Sequence, residues 1–251
     1  MKQSQFYYLL RRGLFNAGSA IIKNGLVMFN KFTTAGLNFP AQGSAEFNGS
    51  SDYIQLPDPF SHTTHTIAAW VYNTDDTQPN LVFDQRAGND DGYRLMPYDG
   101  LFYYSVNASD LTFTNVKDEW IYVVGTYDGT TQKLYVDGSL SNSQSTSQTI
   151  STSTNARIAR SSYDPAVYFK GNLANVAIWN RALSSDEINS VMWKSYEGLE
   201  GAESNGLQAW YSLDDISSPA ASLANMEQLA TDKNATIENK AAITAAINAL
   251  S

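Results

Sequence analysis

The sequence contains no cysteine and only two histidines among its 251 residues. The first absence removes disulfides, thiolate metal sites and thiol nucleophiles together. It also speaks against an extracellular eukaryotic setting, though not against a bacterial or viral one. Charged residues make up only 16% of the chain, and the formal net charge is −9. An acidic surface repels phosphate backbones, so nucleic acid is not expected as a partner. No apolar run is long enough to cross a membrane. The opening stretch MKQSQFYYLLRRGLF breaks its apolar residues with Arg11 and Arg12 and makes a poor signal peptide. Synthesis in the cytoplasm is therefore expected, with no membrane partner.

Ser, Thr and Asn are abundant instead, alongside 15 Tyr and 11 Phe. That mixture suits strands better than a helical bundle. From Ala45 to Asn180 the pattern is strongly β. TIAAWVYN alternates, with Ile67, Ala69 and Val71 on one face and Ala68, Trp70 and Tyr72 on the other. WIYVVGTY and QKLYVDG alternate too, separated by DGTT. Gly129 supplies a positive φ cheaply and Asp128 can accept from nearby amides, so the pair reads as a hairpin turn. Asp137-Gly138 ends the next strand the same way. These aspartates are punctuation rather than an acid site. The polar run SLSNSQSTSQTISTST reads as a loop or a solvated edge strand.

In RALSSDEINSVMWKSYEGL, Ser184 and Glu187 have the spacing of a capping box, with Leu183 and Ile188 placed as a hydrophobic staple. The pattern predicts a short helix over 184–197. Residues 1–36 form an apolar, aromatic arm, residues 37–215 the sandwich, and residues 216–251 an Ala-rich tail with helical periodicity. The arm either packs on the main body or grips another subunit, through Phe6, Tyr7, Tyr8, Leu9 and Leu10 with Arg11 and Arg12 beside them. The tail offers the same two readings through Ile243, Ile247 and Leu250.

The ordered segments FNGSSDYIQLP, TIAAWVY, EWIYVVGTYDGTTQKLYVDGSL and GNLANVAIWNRALSSDEI together resemble the laminin-G-like, concanavalin-A-like jelly-roll domains, from about Ala45 to Ile188. NGLQAWYSLDD resembles a strand that usually opens such a domain, displaced here toward the C-terminus. The resemblance implies an all-β, two-sheet antiparallel jelly-roll sandwich, with the arm before it and short C-terminal helices after it. It also implies a mostly non-catalytic module of the kind found in adhesins, multidomain glycan enzymes and phage structural proteins. Family members often bind calcium or sugar. Here Asn48 stands where the family has Asp, and Ala174 and Asn175 stand where it has an acidic pair. Calcium wants several hard, charged oxygens, and only Asp52 remains of that set, so a tight calcium site of the family type is not expected; weak calcium binding stays open, and no other cofactor is expected.

Catalytic parts are missing as well. Glycan hydrolases on related jelly rolls carry an E-x-D-x-x-E strand whose carboxylates act as nucleophile and acid, and no such spacing occurs. G-x-S-x-G, H-E-x-x-H and a phosphate-binding Gly loop are also absent. His62 and His65, in SHTTH, read as loop residues. Asp84, Asp90 and Asp91 read as turn formers around GNDDG, with weak calcium binding through side chains and carbonyls as the alternative. Tyr98 and Tyr103 are the candidates for stacking on a sugar, because alternation must send Tyr103 or Tyr104 into the core. The expectation is a non-enzymatic virion accessory protein, such as a phage head decoration, fibre or tail component. It would assemble with itself or with other virion proteins through the two ends. The alternative is a glycan-binding lectin-like module, with or without calcium, and the third is a carbohydrate-active enzyme of the same fold.

Overall fold

The computed structural model describes residues 44–56, 62–88, 91–146, 150 and 155–213. The chain divides into two units, Met1–Phe39 and Pro40–Ser251, and all described residues belong to the second. The arm residues Phe6 to Arg12, the tail residues Ile243, Ile247 and Leu250, and Asp90 lie outside the described residues.

Thirteen strands are found among the described residues: β1 (Ala45–Asn48), β2 (Ile54–Gln55), β3 (His65–Asn73), β4 (Phe83–Asp84), β5 (Tyr93–Tyr98), β6 (Leu101–Val106), β7 (Ser109–Thr114), β8 (Trp120–Tyr127), β9 (Thr131–Val136), β10 (Ser139–Ser145), β11 (Arg157–Ile158), β12 (Lys170–Trp179) and β13 (Leu207–Tyr211). They form two antiparallel sheets. The seven-stranded sheet runs β1-β12-β3-β8-β9-β10, with β13 also on β12, and the six-stranded sheet runs β2-β11-β4-β5-β6-β7. β1 pairs with Lys170 to Leu173 and β13 with Val176 to Trp179. Asn175, at φ +47°, sits in the irregularity between those two pairings. The far-end strand expected from NGLQAWYSLDD is therefore β13.

The core lies between the sheets. Ile67, Ala69 and Val71 of β3 face it, as the alternation predicts, together with Val123, Leu134, Leu173 and Ile178. Phe83, Leu95, Phe102, Tyr104, Val106 and Leu111 come from the other sheet. Gly125 of β8 belongs to this contact for a steric reason. A Cβ there would stand 2.4 Å from the Tyr104 ring, so only glycine lets the two sheets approach. The turns follow their local chemistry. Asp128 Oδ1 accepts from the Thr130 and Thr131 amides at 2.9 and 2.8 Å. Asp137 and Gly138 both have positive φ, the geometry of the tight two-residue hairpin turn. The serine-rich β10 is an edge strand exposed along its whole length.

The other face of the seven-stranded sheet is covered by helix α1 (Ser185–Val191) and the segment after it. The capping box forms: the Glu187 amide donates to Ser184 Oγ, and the Ser184 amide donates to Glu187 Oε2 at 2.8 Å. Arg181 clamps the same carboxylate with two nitrogens, at 3.0 and 2.6 Å. The helix is shorter than the 184–197 expected, because Ile188, Val191 and Met192 are already buried by its end and Tyr196–Gly198 is a separate 3-10 turn. Trp70 donates to the Met192 carbonyl at 3.1 Å, and Trp179 to the Glu203 carbonyl at 2.7 Å. Among the described residues no helix is long and apolar enough to cross a membrane.

His65 corrects the loop reading of SHTTH. It opens β3, opposite Tyr127, and is fully buried. Its ring stacks on Tyr93 at 3.9 Å, and its Nε2 bonds the Tyr104 hydroxyl at 2.8 Å, joining one sheet to the other. Burial first, and the neighbouring His62 second, hold its pKa down at about 3. The unfolded imidazole titrates near 6.5, so between these values the unfolded chain binds more protons than the folded one. Stability is then complete above pH 6.5 and falls as pH drops toward 3. A loss of roughly 1 kcal/mol is expected between pH 8 and pH 5.5, a window above that of unfolded carboxylates. Urea unfolding at a series of pH values checks this, with His65→Gln expected to remove the slope; a flat wild-type profile would contradict it.

Candidate functional site

With α1 on one side of the sandwich, the outer face of the six-stranded sheet is the broad surface that no helix among the described residues covers. Its residues can be read from the register. Gln55, Arg157, Asp84, Arg94, Ser105 and Asp110 stand directly opposite one another from β2 to β7. This polar row spans about 24 Å, at about 4.8 Å per strand. The residues one position away, such as Ile158, Phe83, Leu95, Tyr104 and Leu111, all enter the core, which fixes the row on the outside.

The row is tied together by its own side chains. Arg157 Nε donates to Gln55 Oε1 at 2.8 Å, and Arg94 Nε donates to Ser105 Oγ at 3.0 Å. Arg94 also lies 3.9 Å from Asp110. Asp84 is fully buried and makes a two-pronged pair with Arg86, Nε to Oδ1 at 2.8 Å and Nη2 to Oδ2 at 3.0 Å. It also accepts from Ser161 Oγ at 2.8 Å and from the Ser162 amide at 3.0 Å. The aspartate therefore belongs to a strand and fastens the 161–168 segment to it. The turn role expected for it falls instead to Asp91, whose carboxylate accepts from the Gly88 amide.

Aromatic rings flank the row. At the β5–β6 end, Tyr98 is 36% exposed and Tyr103 is half-buried, while Tyr104 turns into the core. Met96 pairs with Tyr103 and Tyr98 with Leu101, so the two tyrosines share the outer face of one hairpin. At the β2–β11 end, Tyr53 is 40% exposed and meets Tyr168 edge-on, with ring centroids 6.3 Å apart. The Arg160 guanidinium carbon lies 4.6 Å from the Tyr53 ring and 5.0 Å from the Tyr168 ring. Tyr98 and Tyr103, singled out from the sequence, lie on this face; Tyr53, Tyr168, Arg157 and Arg160 were not singled out. Alternation in DYIQ, with Ile54 inward, was the available signal for Tyr53.

The positions where family resemblance expects calcium ligands are otherwise engaged. Asn48 Oδ1 accepts from the Ser50 and Ser51 amides at 2.8 and 2.9 Å and shapes the turn after β1. The Asp52 carboxylate accepts from the Asn48 amide at 3.2 Å. Ala174 carries no side-chain oxygen and is buried, and Asn175 Oδ1 accepts from the Trp210 indole at 3.3 Å. This donor set does not fit a calcium cage, and no cluster of three His, Cys, Asp or Glu occurs among the described residues.

A family description, the concanavalin A-like lectin/glucanases superfamily, matches residues 48–189, more than half the chain. A search of curated protein sequences finds no match. Among solved structures, a Bacteroides ovatus protein to which carbohydrate binding has been ascribed superposes with a TM-score of 0.53 at 16% identity, covering 68% of this chain and 53% of that one. A heptameric pentraxin from Limulus polyphemus gives 0.48 at 16% identity, covering 59% and 80%. The binding domain of botulinum neurotoxin serotype D gives 0.49 at 17% identity, covering 62% and 44%. At such identities the likeness concerns the fold alone.

Asp84→Ala should cost about 3–5 kcal/mol in chemical denaturation, because it leaves the Arg86 charge buried without its carboxylate. A loss below 1 kcal/mol would show that the pair does not fasten this face.

Proposed function

The chain belongs to the concanavalin A-like lectin/glucanases superfamily, and on that premise we propose that it is a non-enzymatic recognition module that binds a glycan across the open face of its six-stranded sheet. The observation that carries this reading is the pairing of Tyr98, Tyr103 and Tyr53 with the accessible members of the row, Gln55, Arg157, Arg94 and Asp110, on the sheet face that α1 leaves uncovered, while Asp84 and Ser105 are buried within it. Aromatic rings take the apolar face of a sugar, while amides, hydroxyls and guanidinium groups take its hydroxyls.

Catalysis is disfavoured by spacing. The carboxylates of the row, Asp84 and Asp110, lie three strands apart, about 14 Å. Glycoside hydrolysis needs two carboxyl groups within about 5–10 Å, and Asp84 is already committed to Arg86. An array of neutral and acidic glycans, probed with the full chain, tests the proposal. Binding to at least one glycan class is expected, unchanged by chelator, and Tyr98→Ala or Tyr103→Ala should weaken it about tenfold. Silence on every glycan, or turnover of a polysaccharide, would overturn the reading.

A second reading, a virion accessory protein of a phage, rests on the unusual composition of the two ends. In that case Phe6, Tyr7, Tyr8, Leu9 and Leu10 would bury apolar area against a neighbour while Arg11 and Arg12 pair with its acidic groups, and Ile243, Ile247 and Leu250 would do the same at the other end. Light scattering across a concentration series separates the two. A stable trimer or larger ring that deletion of residues 1–30 reduces to a folded monomer would support assembly. A monomer at every concentration, or unfolding of the truncated chain, would count against it.

A further inference from the structure

The described residues include five arginines, and they fall into two groups. Arg86, Arg94 and Arg181 each have a carboxylate, at 2.8, 3.9 and 2.6 Å. Arg157 and Arg160 make no ion pair within 4.0 Å among the described residues, although Asp84 stands opposite Arg157 in the register and the chain carries 25 acidic residues and a net charge of −9. They are also neighbours. Burial pushes the Arg157 pKa down and the Arg160 charge adds to it, so the two cations repel each other; Tyr53, Asp84 and Tyr168 act the other way, and the net direction is still downward. A guanidinium cannot relieve that repulsion by losing its proton. Nor is either side chain at liberty to swing away. Arg157 donates to Gln55 and to the Ser161 carbonyl at 2.8 Å each. Arg160 donates to the Pro165 carbonyl at 3.2 Å and lies against the Tyr53 and Tyr168 rings, while its Nε is buried without a partner.

Two fixed, mutually repelling cations on an acidic protein are the arrangement that a bound anion would stabilise. Guanidinium groups hold planar or tetrahedral oxyanions through paired N–H donors. We infer that Arg157 and Arg160, framed by Tyr53 and Tyr168, form an anion subsite at the β2–β11 end of the open face, and that the glycan bound there carries a carboxylate or a sulfate. The inference rests on the glycan reading for its choice of ligand, and on the charge arrangement for the subsite itself. The half-exposed Tyr53 ring beside the two cations supplies the apolar surface that a sugar ring needs and a free inorganic anion does not.

The test uses the full chain and three matched oligosaccharides: neutral, uronate-bearing and sulfated. The acidic forms should bind at least tenfold more tightly than the neutral one, and weaken as salt rises from 50 to 300 mM. Arg160→Gln should remove that advantage, bringing the acidic forms to the affinity of the neutral one. Arg160→Lys, which keeps the charge but loses the fork, should retain part of it. The uronate and sulfate arms tell the two anions apart. Equal affinity for all three sugars, or an acidic preference untouched in Arg160→Gln, would overturn the subsite while leaving the glycan face standing. A parallel melting experiment in sodium sulfate and sodium glucuronate covers the opposite failure. If no oligosaccharide binds but these anions raise the melting temperature of the wild type and not of Arg160→Gln, the subsite holds and the glycan reading falls. If neither sugar nor anion has any effect, the subsite is overturned as well. Arg157→Gln repeats the comparison should Arg160→Gln fail to fold.

Discussion

Trp70 donates its indole N–H to the carbonyl of Met192, and the division of labour between the two sheets follows from that contact. A sandwich has two inner faces, which meet, and two outer faces, which must be covered or wetted. β3 is the central strand on which both choices are made. Its odd-numbered residues enter the core, and Trp70 points the other way, among Tyr122, Trp193 and the end of α1. The helix end buries Trp70 and Tyr122, while Tyr72 and Trp120 stay half-buried on the same face, with ring centroids 5.7 Å apart. The six-stranded sheet keeps a polar outer face with tyrosines at both ends.

Carboxylates in this domain act as fasteners. Asp128 closes a hairpin, Asp137 accepts from the Tyr122 amide of β8, Glu187 completes a helix cap, and Asp84 pins a loop through two hydrogen bonds while two more hold Arg86. Asn48 and Asn175, at positions where family resemblance expects acid, shape a turn and a strand irregularity. With these carboxylates committed in this way, the proposed recognition rests on groups of other kinds: tyrosine rings, amides, hydroxyls and the arginines.

What could be read from the sequence was what is local. A capping box needs four residues, an Asp-Gly turn needs two, and alternation over eight is enough to send Ile67 inward and Trp70 outward. The family pattern supplied the sandwich itself. His65 was misread because its neighbours in SHTTH are polar, whereas its burial is decided by Tyr104, 39 residues away. The arginine pair was illegible for the same reason. β11 is two residues long, and its meaning comes from pairing with Gln55 and Asp84, 102 and 73 residues distant in sequence. Tyr103 and Tyr104 show the boundary between the two cases. Alternation required one of them to be buried, but only the register with β5 and β7 decides which.

The central claim is that the open face of the six-stranded sheet is where this protein meets its ligand. Hydrogen exchange with and without a bound oligosaccharide tests it most directly. Protection is expected over β2, β4 to β7, β11 and the 161–168 segment, with α1 and β8 to β10 unchanged. Protection centred on α1, or on the turn at residues 48–52, would contradict it and move the site to another part of the sandwich.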